Sequence, residues 1–360
     1  MFIIFANKQS TMVHKILVIR FRRIGDSVLA TALCRSLKES FPQAEIHFII
    51  NENISPLYLN HPDIDKVITF SDKENHGFNY IKKVWNIVHE TDYDVIIDMR
   101  STIKTLPFSL FSLHTKYRIG RYKKYNALLH NYRIKDLPED DRVENNLRLM
   151  SPLSKEGELK LNTNFRLYVT NEEKAKYRRY MEAQGIDFKK PVILCAVTAR
   201  LAYKVWPYDR MTRILQNIIQ EFDAQLVFNY AGDAETKAAQ DIWEKLGKDP
   251  HIFLNIQANG LRELCALTCN STFFFGNEGG PRHIAQAFEI PSFAIYPPNI
   301  SKQFWLPGNN PRFKGISPDD YMPEEQQKGM EYATRFDLIP ESDVWTQLNE
   351  MLKQYLHAAT

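Results

Sequence analysis

The chain has 360 residues, 44% of them hydrophobic and 25% charged, with a formal net charge of +3. That length suits two domains, or one large one, of ordinary globular composition. So small a charge does not point to nucleic acid, and no apolar run approaches the ~18 residues that span a bilayer.

The first eleven residues start apolar but have no basic region before the apolar stretch, and the stretch is too short for a signal-peptide core. Met12 opens "MVHKILVIRF", so residues 1–11 read as an upstream extension. With no signal, the cytoplasm is the expected compartment. The four cysteines, Cys34, Cys195, Cys265 and Cys269, form no disulfide framework in a chain this long. Cys265 and Cys269 share a helical face but lack two further ligands for zinc, so all four read as plain thiols.

Short, nearly continuous apolar runs follow at 15–21, 45–50, 66–70 and 94–98. They recur at 191–197, 225–230, 252–256, 273–277 and 292–297. Such runs suit parallel strands covered on both faces. Helical spacing fills the gaps: Val28, Leu29, Leu33 and Leu37 within 27–40, then Met211, Ile214, Leu215, Ile218 and Ile219 within 208–222. Thr170 with Glu173 reads as a capping box opening a charged helix that ends near Gly185. Residues 344–355 form a last amphipathic helix. This alternation means an α/β chain with parallel sheets. It lapses over 133–164, and a linker at 184–190 would divide two Rossmann-like halves with a cleft between them.

In open parallel sheets, ligands bind beyond the carboxyl ends of the strands, so the strand-to-helix turns carry the chemistry. In "RFRRIGDSV", Asp26 either caps the helix or takes a proton from an acceptor hydroxyl. In "TARLAYKVWP", Arg200 and Lys204 either neutralise a departing phosphate or are solvated surface charges. In "NYAGDAET", Gly232 and Asp233 make the turn; an acidic group there, with Glu235 in the first helical turn, either binds ribose hydroxyls or favours a helix N-terminus. "GNEGGPRH" is the odd one. Gly279 and Gly280 leave backbone N–H groups unobstructed, Pro281 presets the first helical turn and His283 adds a donor, which fits a loop for a diphosphate. There is no GxxxxGK[ST] pattern, and the first turn lacks GxGxxG, so a nicotinamide cofactor is disfavoured.

From Arg100 to Lys135 there are nine Lys/Arg and no Asp or Glu, interleaved with "LPFSLFSLH" and tyrosines. Either an anionic acceptor or anionic membrane surface is drawn to Arg118, Arg121, Lys123 and Lys124, or the apolar run is core and the cations form a solvated face. No nucleic-acid recognition motif accompanies the patch.

Together, "ILVIRFRRIGDSVLATALCRSLKESFPQAEIHFI", "KVWP", "GNEGGPRHIAQAFEIPSFAIYPP" and the tail "LIPESDVWTQLNEML" resemble the ADP-heptose:lipopolysaccharide heptosyltransferases, glycosyltransferase family 9, over most of the chain. The resemblance implies a GT-B fold: two Rossmann-like domains with parallel sheets facing a central cleft. The expected domains are 12–185, which binds acceptor, and 186–340, which binds nucleotide sugar. A helix at 341–360 would cross back to pack on the first domain. It implies inverting, metal-independent transfer of a sugar, heptose from ADP-heptose, onto a lipopolysaccharide-core acceptor, with no cofactor. The protein would be a monomer, peripheral on the cytoplasmic face of the inner membrane, with no nucleic-acid partner. By the same resemblance Asp26 is the catalytic base. Thr198, Arg200, Lys204, Gly279, Gly280 and His283 hold the donor diphosphate. Gly232, Glu235 and Glu278 contact its nucleotide or sugar. The chain departs from the family where Glu278 replaces a usual Asp, Gly279 a common Ser or Thr, and Arg282 an often apolar residue. A non-catalytic nucleotide-sugar or glycolipid-binding paralogue on the same fold is the alternative.

Overall fold

The computed structural model describes residues 13–308 and 310–356; the start at Met12 and the extension before it lie outside the described residues. The chain divides into two compact units, residues 1–165 and 166–360. Each unit is built on one six-stranded sheet.

In the first unit the strands are β1 (Lys15–Ile19), β2 (Glu45–Asn51), β3 (Lys66–Phe70), β4 (Val95–Asp98), β5 (Tyr117–Arg121) and β6 (Tyr132–Ile134). They lie in the order β3-β2-β1-β4-β5-β6, all parallel. In the second unit they are β7 (Val192–Ala196), β8 (Gln225–Phe228), β9 (Ile252–Phe253), β10 (Phe273–Asn277), β11 (Ser292–Ile295) and β12 (Phe313–Ile316). Their order is β12-β11-β10-β7-β8-β9, again all parallel. Counted within its own unit, each sheet runs 3-2-1-4-5-6, the doubly wound Rossmann order. The winding reverses between β1 and β4 in one sheet and between β7 and β10 in the other. Ligands of such sheets gather at that reversal.

The continuous apolar runs become these strands because both faces are covered: β1, β4, β7 and β10 are almost wholly buried. β5, β6 and β12 were not apparent as apolar runs. "YRIGR", "YRI" and "FKGI" interleave arginine, lysine or glycine with apolar residues.

One expectation is corrected. The division falls at Phe165/Arg166 and not at 185/186. The helix Asn171–Ala183, capped by Thr170 and Glu173 as expected, packs on Leu261–Cys269 of the second unit. Arg262 fastens it there, with Nε 2.6 Å and Nη2 2.7 Å from the two Glu173 carboxylate oxygens. The closing helix, Glu341–Leu356, sends Val344, Leu348, Met351, Leu352 and Leu356 into the second unit's core. Its face matches that of Tyr208–Phe222, where Met211, Ile214, Leu215 and Ile218 are buried in the same core. Arg213 to Glu341 (2.6 Å) and Asn349 to Glu221 (2.7 Å) border the contact.

Candidate active site

In the first unit, the turn after β1 carries Asp26 in the first turn of the helix Ile24–Leu29. The N-cap is Arg23, with no side-chain cap bond, so Asp26 does not cap the helix. Its Oδ1 is instead held by two guanidiniums: Arg20 Nη2, and Arg142 Nη2 at 3.3 Å. Arg20 is buried at the end of β1, and that burial, partly opposed by Asp26, pulls its pKa down to about 10. Arg142 opens the helix Arg142–Leu147, which Asp141 caps through the Val143 and Glu144 N–H groups.

Backbone strain marks both turns of this sheet's reversal. Arg22 (φ 68°) and Arg23 (φ 35°) follow β1, and Ser101 (φ 51°) follows β4. Left-handed backbone at such residues persists where neighbours hold it. Asn51 Oδ1 accepts from the Arg22 N–H at 2.7 Å, and Asp98 Oδ1 accepts from the Arg100 and Ser101 N–H groups at 3.0 and 2.8 Å.

Sequence reasoning passed over what these turns assemble. Arg22, Arg100 and Lys104 stand close enough to repel. The Arg100 pKa is lowered by burial and then by Arg22, and that of Lys104 by burial and then by Arg22 and Arg100. Cations crowded beside one carboxylate make a site for an anion. The signal was the run of arginines around "RFRR" and "DMRS", but only the parallel pairing of β1 with β4 brings them together.

The acceptor residues chosen from the basic stretch fare differently. Arg118 donates to the carbonyls of Leu113, Thr115 and Leu129 at 2.7, 2.7 and 2.8 Å. Arg121 is buried, bonds Met99 O (2.9 Å) and Asn146 Oδ1 (2.7 Å) and pairs with Asp136. Burial, then Arg142 and Arg20, push the Arg121 pKa down to about 9. Both arginines tie their unit together. Lys123 and Lys124 remain exposed, beside Tyr122, Tyr125 and the 92%-exposed Leu128.

In the second unit, the turns after β7, β8 and β10 interlock. Thr198 Oγ1 donates to Glu235 Oε2 at 2.7 Å, joining the β7 turn to the first turn of Asp233–Lys245. Gly232, at φ 78°, is that helix's N-cap and is exposed. Lys204 ends a single 3-10 turn, Ala202–Lys204, and is half-buried, whereas Arg200 is exposed. Trp206, buried completely, donates its backbone N–H to Asn277 Oδ1 at 2.9 Å, and Asn277 Nδ2 donates to Ala196 O at 3.0 Å. One asparagine therefore fastens the ends of β7 and β10 and the "KVWP" turn together.

Glu278 follows. Its Oε1 lies 3.5 Å from both Arg282 Nη2 and His283 Nε2. Burial works to raise the Glu278 pKa. The His283 hydrogen bond and the charges of Arg282, His283 and Lys204 outweigh it and hold the group at about 2. Gly279 then caps Gly280–Ala287 with no side-chain bond, leaving the helix's first N–H groups to a ligand.

Gly279 has φ 172°, extended backbone open to any residue, and a Cβ there would meet only Pro281 Cδ at 3.8 Å. Gly276 is the constrained one: φ is 142°, and a Cβ would come within 2.3 Å of Ala196 O. Among the described residues no three His, Cys, Asp or Glu side chains form a metal-holding group.

A family model described as glycosyltransferase family 9 (heptosyltransferase) matches residues 81–331. The chain belongs to that family. It is a glycosyltransferase of two parallel-sheet Rossmann-like domains, the GT-B class. Lipopolysaccharide heptosyltransferase 3 of Escherichia coli K12 is 24% identical over 79% of this chain and 82% of its own. Lipopolysaccharide heptosyltransferase 1 of Campylobacter coli is 22% identical over 78% and 83%. A family 9 glycosyltransferase structure from Veillonella parvula superposes with a TM-score of 0.80 at 16% identity, over 95% of this chain and 98% of its own. Asp26 lies ahead of the stretch that the family model matches.

Proposed function

We propose that this glycosyltransferase moves a heptose-type sugar from an ADP-sugar onto a hydroxyl of an anionic, lipopolysaccharide-core-type glycan, with inversion and without a metal ion. The relatives named as lipopolysaccharide heptosyltransferases support the substrate class. The observation that carries the reading is that the chemistry-bearing turns sit at each sheet's reversal: Asp26 after β1, Thr198 and Lys204 after β7, and Glu278 to His283 after β10.

Asp26 takes the acceptor proton as the hydroxyl attacks the anomeric carbon, with Arg20 and Arg142 fixing the carboxylate. Arg22, Arg100 and Lys104 attract the acceptor's negative groups. The diphosphate leaves with growing negative charge, met by Lys204, Arg200 and the uncapped amides after Gly279. Glu235, braced by Thr198, and the Gly232 turn bind the nucleotide's ribose. These preorganised donors do the work of a divalent ion.

The test is incubation with ADP-heptose and a heptose-deficient core oligosaccharide, in excess EDTA. ADP release coupled to a product whose anomeric configuration is opposite to the donor's is expected. Donor binding with no acceptor-dependent turnover would overturn the transfer reading, and turnover restored only by a metal would overturn the metal-free one.

No described helix is long and apolar enough to cross a membrane. For the peripheral association, the exposed Lys123 and Lys124 beside Tyr122, Tyr125 and Leu128 support contact with an anionic surface. Binding to phosphatidylglycerol vesicles should weaken steeply with salt and drop when both lysines are reversed to Glu. Binding indifferent to both would refute it.

A further inference from the structure

Arg282 is completely buried, one of the largest side chains so enclosed. A guanidinium away from water is costly unless its charge is balanced and its donors are met. Here Nη1 donates to Gln286 Oε1 at 2.7 Å, and Nη2 donates to Trp305 O at 3.0 Å. The same Nη2 lies 3.0 Å from His283 Nε2 and 3.5 Å from Glu278 Oε1. The guanidinium carbon stands 5.2 Å from the centre of the Tyr296 ring. With no exposed surface, Arg282 cannot touch a ligand and acts only through its neighbours.

Those neighbours are two segments around the donor turn. Glu278 is gripped from behind through Oε1, while its side chain keeps 12% of its surface exposed. The helix Lys302–Trp305 is drawn to the same point through the Trp305 carbonyl. An anchored carboxylate with one oxygen turned back and an edge exposed suits paired sugar hydroxyls, which donate to it.

We propose that Arg282 is a positioning residue for recognition of the donor's sugar: it fixes Glu278 as the acceptor for sugar hydroxyls and locks the Trp305 segment beside it. The inference rests on the Glu278–His283 turn being the donor site. The charged and titratable groups facing Glu278 are Arg282 and His283 from the helix that follows it, Lys204 from the β7 turn and Tyr296 from the end of β11. With Arg282 neutralised, the Glu278 pKa rises from about 2 towards 4.5, so sugar recognition fails at a higher pH than in the parent.

The experiment is calorimetric titration of the full chain with ADP and with ADP-heptose, for the parent, Arg282→Met, Arg282→Lys, Glu278→Gln and the Glu278→Gln/Arg282→Met double variant. The parent binds ADP-heptose more tightly than ADP. Arg282→Met keeps ADP affinity within about twofold but loses about tenfold of the preference for ADP-heptose. Arg282→Lys recovers part of it, and Arg282→Met adds no further loss once Glu278 is Gln. The acid limit of ADP-heptose binding moves upward in Arg282→Met. Equal weakening of ADP and ADP-heptose, or an intact preference, would overturn the proposal and leave Arg282 a structural residue. If Arg282→Met does not fold, Glu278→Gln decides: an unchanged sugar preference there overturns it equally. A parent that binds neither ligand refutes the donor-site reading instead.

Discussion

Asp26 and Lys204 sit at the reversal points of separate sheets, and each is held from its own side. Asp26 is clasped by Arg20 and Arg142, and the charge of Lys204 helps to hold the Glu278 pKa down. Replacing Asp26 with Asn, or Lys204 with Ala, should lower kcat/KM at least ~100-fold, the usual loss of a base or a charge-stabilising contact. The melting temperature should stay near that of the parent in Lys204→Ala but fall in Asp26→Asn, which leaves the buried Arg20 and Arg142 without their carboxylate, and near-parent turnover in either variant would strike that residue from the mechanism. Two glycines separate backbone need from ligand need. Gly276→Ala drives a methyl into the Ala196 carbonyl and should cost more than ~2 kcal/mol in denaturant unfolding. Gly279→Ser, on extended backbone with open space, should leave stability unchanged. At this scale the sequence disclosed which residue types stand at the turns. It could not disclose that Arg118 and Arg121 turn inward onto carbonyls and carboxamides, since a cation's destination depends on strands not yet paired.

Among the elements, the helix Asn171–Ala183 shows how a local signal can be right and its address wrong. The capping box formed as the residues said, but the partner is Arg262, 89 residues on, bonding both Glu173 oxygens. That hydrogen bonding holds the Glu173 pKa down from 4.5 to about 2. A depressed carboxylate adds stability that is complete above its unfolded value and lost as pH falls through the folded one. The second unit should therefore lose stability between pH 4.5 and about 2, and Arg262→Ala should flatten that part of the pH profile in chemical denaturation. An unaltered profile would show that the pair contributes nothing. The apolar strands were legible because both faces are buried and their runs are unbroken. β5, β6 and β12 were not, because arginine, lysine and glycine interrupt their apolar residues.

Taken whole, the chain is two units with the same strand order, each with its own core. The closing helix completes the second core. A fragment of residues 166–360 should then unfold cooperatively and bind ADP, as circular dichroism and calorimetry would record. A fragment ending at residue 340 should not, because it bares the apolar face of Tyr208–Phe222. Failure of the longer fragment would mean that the second unit relies on the first to fold. The resemblance carried by motifs at the turns reached the family. A motif records an element's presence, whereas the element's partner follows from the matching of apolar faces, as between the last helix and Tyr208–Phe222.

Trp206 gives this architecture a practical use. Its indole is sealed from solvent, two residues from Lys204, and its backbone is hooked to the asparagine that precedes Glu278. The chain has only four other tryptophans: Trp85, Trp243, Trp305 and Trp345. With those exchanged for phenylalanine, the remaining one becomes a lone, blue-emitting fluorophore built into the "KVWP" turn, so occupancy of the proposed donor site could be followed optically, without label or coupled assay.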